Sequence, residues 1–125
     1  MSAARFALVI HPDASFKVID WEENSNSLNV LYREIDFSSV AVVDISPKVA
    51  MWLDDDGIIR GAAVNRPATA IYATIAPVHQ NYYGTAVFTG IDSRGNTTGL
   101  TYDRCEALLE LAGIDIAKIP QQRNK

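Results

Sequence analysis

Short apolar runs rich in β-branched residues, each closed by a turn-forming cluster, set the strongest limit on what this chain can fold into. Ala7-Leu8-Val9-Ile10 ends at His11-Pro12-Asp13, where proline and aspartate favour a turn. A run this short and this apolar reads as a strand, Arg5 to Ile10, buried on at least one face. Phe16, Val18 and Trp21 mark a second strand, hairpin-paired with the first. Val40, Val42 and Ile45 belong to a third that ends before Pro47, and Val49 to Leu53 form a fourth. Asp54-Asp55-Asp56-Gly57 then leads into Ile58-Ile59-Arg60, and an Asp-Gly pair between apolar runs signals a hairpin, because both residues tolerate positive φ. Gly84 to Ile91 is a core strand, with Ala86 and Phe88 on one face and Val87 and Thr89 on the other.

Helical spacing appears three times between these strands. Asn24-Ser25-Asn26-Ser27 offers capping side chains before Leu28, Leu31, Tyr32 and Ile35, which share one helix face. Asn65 caps a second helix, from about Pro67 to Ile75, with proline in the first turn and Ile71 and Ile75 facing inward. Thr101 caps a closing helix whose Cys105, Leu108, Leu109 and Ala112 form an apolar stripe, with Gly113 as its terminator. Asp92 to Gly99 reads as a polar loop, and the tail after Pro120 as a frayed end. Strands and helices in this order predict an α+β fold. Its sheet is mostly antiparallel, with mixed pairing as the alternative, and two to three helices pack on one face. At 125 residues, 48% of them hydrophobic, one core and one domain are expected, with the core over about residues 5 to 113.

Composition excludes several chemistries. A lone cysteine, Cys105, permits neither an internal disulfide nor a multi-cysteine zinc cage. Its place on an apolar stripe makes it a buried thiol rather than a nucleophile. The apolar segment Phe6 to Ile10 is too short for a signal-peptide core, and no stretch reaches membrane-spanning length, so a cytosolic location is expected. A formal net charge of −4 speaks against nucleic acid as a partner, since such a binder needs a basic face, and is also weak for a DNA mimic. The three consecutive carboxylates Asp54, Asp55 and Asp56 lack the alternate-position ligands and distal glutamate of a calcium loop. His11 and His79, the only histidines, stand at no metal-ligand spacing from another ligand. No cofactor, metal or catalytic residue is therefore assigned; an enzyme built on Asp54 or Glu34 would rest on carboxylates alone.

Two segments point to ligands instead. Asn65-Arg66-Pro67 opens a helix, where free N–H groups and an arginine suit an anion. Gly90 to Gly99 is glycine-rich and carries Arg94, yet lacks the Gly-Lys-Ser/Thr ending of a nucleotide-binding P-loop. Asn65, Arg66 and Arg94 are thus the candidate anion-binding residues, and the order of strands decides whether they meet. Tyr82, Tyr83 and Trp52 are candidates for an interface patch.

Ala7 to Pro12, Leu53 to Gly61 leading to Val64-Asn65-Arg66-Pro67-Ala68-Thr69, and Tyr83 to Gly90 occur here in an order that resembles the small phage and actinobacterial family termed domain of unknown function 3846. The likeness spans about residues 5 to 100 and departs at Tyr32-Arg33-Glu34-Ile35, where glycines are expected. It implies an accessory protein of a bacteriophage or prophage, working in the bacterial host cytosol, and carries no catalytic residue onto this chain. Two functions follow as expectations. The first is a non-enzymatic protein that binds a host protein, with homo-oligomerisation as an accompanying option. The second is a small-ligand binder that sequesters a nucleotide immune signal.

Overall fold

The computed structural model describes residues 5–21, 34, 40–56, 61–74 and 81–114. Strands β1 (Phe6–Ile10), β2 (Phe16–Asp20), β3 (Val40–Ser46), β4 (Val49–Asp54), β5 (Ala86–Ile91) and β6 (Thr97–Thr98) form one six-stranded sheet. Its order is β2-β1-β5-β4-β3, with β6 also against β5, and every pairing is antiparallel. Helices α1 (Arg66–Ala73) and α2 (Tyr102–Leu111) complete the described α+β fold.

The apolar runs become strands because the sheet buries them. All five residues of β1 are buried, since β1 is interior and both of its faces are covered. Leu8 and Ile10 join Met51, Leu53, Ala86 and Phe88 in the main core, which receives Ala68 and Ile71 from α1 and Cys105, Leu108 and Leu109 from α2. Each large side chain withdrawn this way contributes roughly 1.5–3 kcal/mol. The alternate residues Ala7, Val9 and Val87 form a second cluster with Trp21 on the opposite face. Thr89, fully buried on that face, accepts a 2.9 Å hydrogen bond from Trp52 Nε1.

Local chemistry fixes the joints. Between β1 and β2, Ser15 donates from both its backbone N–H and its hydroxyl to Asp13 Oδ1, at 2.9 and 2.6 Å. These hydrogen bonds stabilise the anion and lower the Asp13 pKa. At the far end of α2, Gly113 has φ +80° and donates to Glu110 O, while Ile114 N donates to Leu109 O. This pair of bonds is a Schellman stop, and it folds Ile114 back onto the core.

One expectation needs revision. The stretch Asp92 to Gly99 is a hairpin rather than a plain loop: Thr97 and Thr98 pair with Ile91 and Gly90. Threonine suits a strand, and the five-residue turn is closed by Asp92 and Asn96. Over Val49–Trp52 both edges of β4 are filled, by β3 through the Pro47-Lys48 turn and by β5. The return strand Ile58 to Arg60 expected after Asp-Gly lies outside the described residues. So do the helix over Leu28–Ile35 apart from Glu34, the ends at Ile75 and His79, and the tail. Glu34 is helical and its carboxylate meets Lys17 Nζ at 2.9 Å.

Candidate functional site

Antiparallel pairing carries distant residues to one end of the sheet. β1 and β4 both oppose β5, so their beginnings lie beside its end: Val49 pairs with Gly90, and Phe6 bridges Leu100 just past β6. Arg5 precedes β1, Lys48 precedes β4, and Arg104 sits in the first turn of α2. These three exposed cations line one cleft of about 120 Å³, together with Gly90, Ile91, Thr98, Gly99, Leu100 and Thr101. Among the described residues that line it there is no carboxylate, imidazole or thiol. In a chain of net charge −4, the described lining thus gathers three basic residues and no acidic one.

Glycines make the floor. A Cβ on Gly99 would stand 2.5 Å from Arg5 Cβ, 2.9 Å from Trp21 Cβ and 3.1 Å from Phe6 N. A Cβ on Gly90 would meet Gly99 O at 2.8 Å. The chains close over this contact through Phe6 N–H to Leu100 O, 2.8 Å, and Leu100 N–H to Phe6 O, 2.7 Å. The Cβ of Arg5 is thereby held against Gly99 beside the cleft that Arg5 lines.

Arg104 occupies a position that helix chemistry would give to an acid. Thr101 is the N-cap of α2, its hydroxyl accepting from Arg104 N at 3.2 Å. The residue three places after a threonine cap is where glutamate completes a capping box, and where the helix dipole disfavours a cation. An arginine there opposes the helix by roughly 0.3–1 kcal/mol. Helix preference therefore does not account for an arginine at this place.

The residues read from sequence fall elsewhere. Asn65 is fully buried and serves the backbone: Nδ2 donates to Ile10 O at 3.0 Å and Gly84 O at 2.8 Å, and Oδ1 accepts from Ala68 N at 3.0 Å. It is the expected helix cap and a cross-link from α1 to the end of β1 and to the segment before β5, with its amide nitrogen donating to both. Arg66 is exposed beside it, at the start of β5. Arg94 is exposed past the end of β5, so the six residues of that strand, roughly 20 Å, separate the two arginines. They do not form one site. The Asp92–Asn96 turn is no phosphate cradle either, because Asp92 Oδ1 takes the amides of Arg94 and Asn96, each at 2.9 Å. Those amides depress the Asp92 pKa.

Of the expected interface residues, Tyr82 is a correction. It is buried, its ring 5.3 Å from that of Tyr72 in an edge-on pair. Burial, then the neighbouring Tyr72, raises its pKa. Tyr83 is half-buried and bridged to Val64, and Trp52 is half-buried on the second face. Among the described residues, the exposed large apolar side chains are Val42 on the outer strand β3 and Leu111 at the end of α2. His11 Nδ1 lies 3.0 Å from Thr85 Oγ1, at the sheet end opposite the cleft. Among the described residues no three His, Cys, Asp or Glu side chains gather as a metal site, and no helix is long and apolar enough to cross a membrane.

Cys105 is buried, and burial, with a lesser push from Glu106, raises its thiol to about 12. The folded protein is therefore expected to resist a thiol reagent at pH 8, with labelling appearing only as denaturant unfolds it. Rapid stoichiometric labelling in native buffer would show that α2 does not seal the thiol.

Sequence reasoning missed Arg5, Lys48 and Arg104 because they are joined only by strand order. One local signal for the third was present, a basic residue three places after a threonine cap. No curated protein and no solved structure matches the chain. The model of one family, described as Domain of unknown function (DUF3846), matches residues 4–113, all but the two ends, and the chain belongs to that family.

Proposed function

We propose that this chain is a non-catalytic binding protein that captures a phosphate-bearing ligand in the cleft between Arg5, Lys48 and Arg104. One observation carries the reading: Arg104 stands against the preference of its own helix and faces a cleft with two further cations. A charge-assisted hydrogen bond from each to a phosphate oxygen supplies affinity, and the Thr98 and Thr101 hydroxyls add polar contacts. The setting implied by the family resemblance, a phage or prophage accessory protein in the bacterial cytosol, belongs to the proposal. Binding of a host protein has less support, because Tyr82 is buried and the exposed apolar side chains lie on separate elements.

Arg104→Glu separates function from folding. It installs the capping-box acid, so the melting temperature is expected to hold or rise slightly, while phosphate affinity falls by about tenfold or more. Amide shifts on titration with inorganic phosphate check this, with Gly90, Gly99 and Thr101 the expected reporters. If the parent protein shows no shift at ~10 mM phosphate, a concentration that saturates even a millimolar site, the reading fails.

A further inference from the structure

Resting on that reading, we infer that the cleft takes a single phosphate group end-on and is indifferent to the base or sugar attached to it. Size is the first ground. Pockets that enclose a drug-sized ligand run to roughly 300–1,000 Å³. This cleft holds about 120 Å³. A cleft of that size suits one compact tetrahedral anion rather than a whole nucleotide. The organic part of the ligand stays in solvent.

The lining is the second ground. Adenine and uracil, whose edges do not match an arginine fork as guanine's does, are held chiefly by aromatic rings that stack on them and by amide or carboxylate groups that read their edges. The described lining offers neither; its side chains are two arginines, a lysine, two threonines, an isoleucine and a leucine. Neighbouring rings are turned away from this task. Tyr102 packs edge-on against Phe6, with centroids 5.8 Å apart, and Trp21 lies behind Gly99 in the second-face cluster. Tyr82 is buried against Tyr72 of α1.

Calorimetric titration of the full chain with adenosine monophosphate, uridine monophosphate, ribose 5-phosphate and adenosine tests the inference. The three phosphates are expected to bind with affinities within about threefold of one another, and adenosine to give no heat, because a stacked base would add roughly fivefold or more. A preference of about tenfold for either nucleotide over ribose 5-phosphate, equal to about 1.4 kcal/mol, overturns the inference while leaving phosphate capture standing. Binding of adenosine overturns it as well. Failure of all three phosphates to bind removes the phosphate reading itself, and this inference with it.

Discussion

Gly99→Ala is expected to cost about 3 kcal/mol of stability, a large share of the roughly 5–15 kcal/mol available to a domain. The added methyl meets Arg5 Cβ at 2.5 Å and Trp21 Cβ at 2.9 Å, neither of which is the flexible end of a side chain. Relief therefore requires the backbone of β1 to part from residues 99–100, against the two Phe6–Leu100 hydrogen bonds. Gly95 provides the contrast. A Cβ there meets nothing within 4 Å, but its φ is +86°, so Gly95→Ala is expected to cost about 1 kcal/mol through the backbone alone. Urea unfolding of both variants measures the difference. A Gly99→Ala protein within about 0.5 kcal/mol of its parent would show that the strands do not close as tightly as described.

Removing the Asn65 side chain is expected to be equally severe. Asn65→Ala abolishes the α1 cap and leaves Ile10 O and Gly84 O without this donor, for a loss of about 3–4 kcal/mol. Asn65→Asp keeps the shape and the acceptor for Ala68 N but turns a carboxylate oxygen toward two carbonyl oxygens. Burial and those dipoles raise the folded pKa of the new acid above its unfolded value of about 3.9. The folded state then holds a proton that the unfolded state has released, so stability falls as pH rises between the two values. The gap between Asn65→Asp and the parent is accordingly expected to be wide at pH 7 and to narrow toward pH 5. A gap that does not change with pH would mean that the carboxyl finds water, contrary to the enclosure of Asn65.

Much of this architecture is legible in residue pattern. The run at Phe6–Ile10, the β-branched stretch from Val40, the two faces of Ala86–Ile91 and the caps at Asn65 and Thr101 each declare their element, because strand alternation and helix capping act over a few residues. The β6 hairpin was hidden by composition. Asp92, Gly95 and Asn96 resemble any polar loop until the Asp92 carboxylate is seen gathering its amides. The turn expected after β4 is met at Asp55 and Asp56, while its return strand, Ile58 to Arg60, lies outside the described residues. The cleft was out of reach because no pattern of neighbours sets the order β1-β5-β4, and that order alone joins residues 5, 48 and 104. Asn65 and Tyr82 show the same limit from within. A polar residue at a helix start, or an aromatic one between elements, has one appearance in sequence, whether it faces solvent or ties the interior together.

The spacing of those three cations along the chain has a consequence for how the protein matures. Nearly the whole described length lies between Arg5 and Arg104, so no fragment contains the cleft and no early local structure can offer it to a ligand. Closing such long loops is the slow, entropy-limited part of forming a sheet. During synthesis the three charges stay apart until α2 emerges and docks. The proposed capture would thus begin only once α2 is in place, and any anion held there would add to the stability of the folded state without guiding the chain toward it.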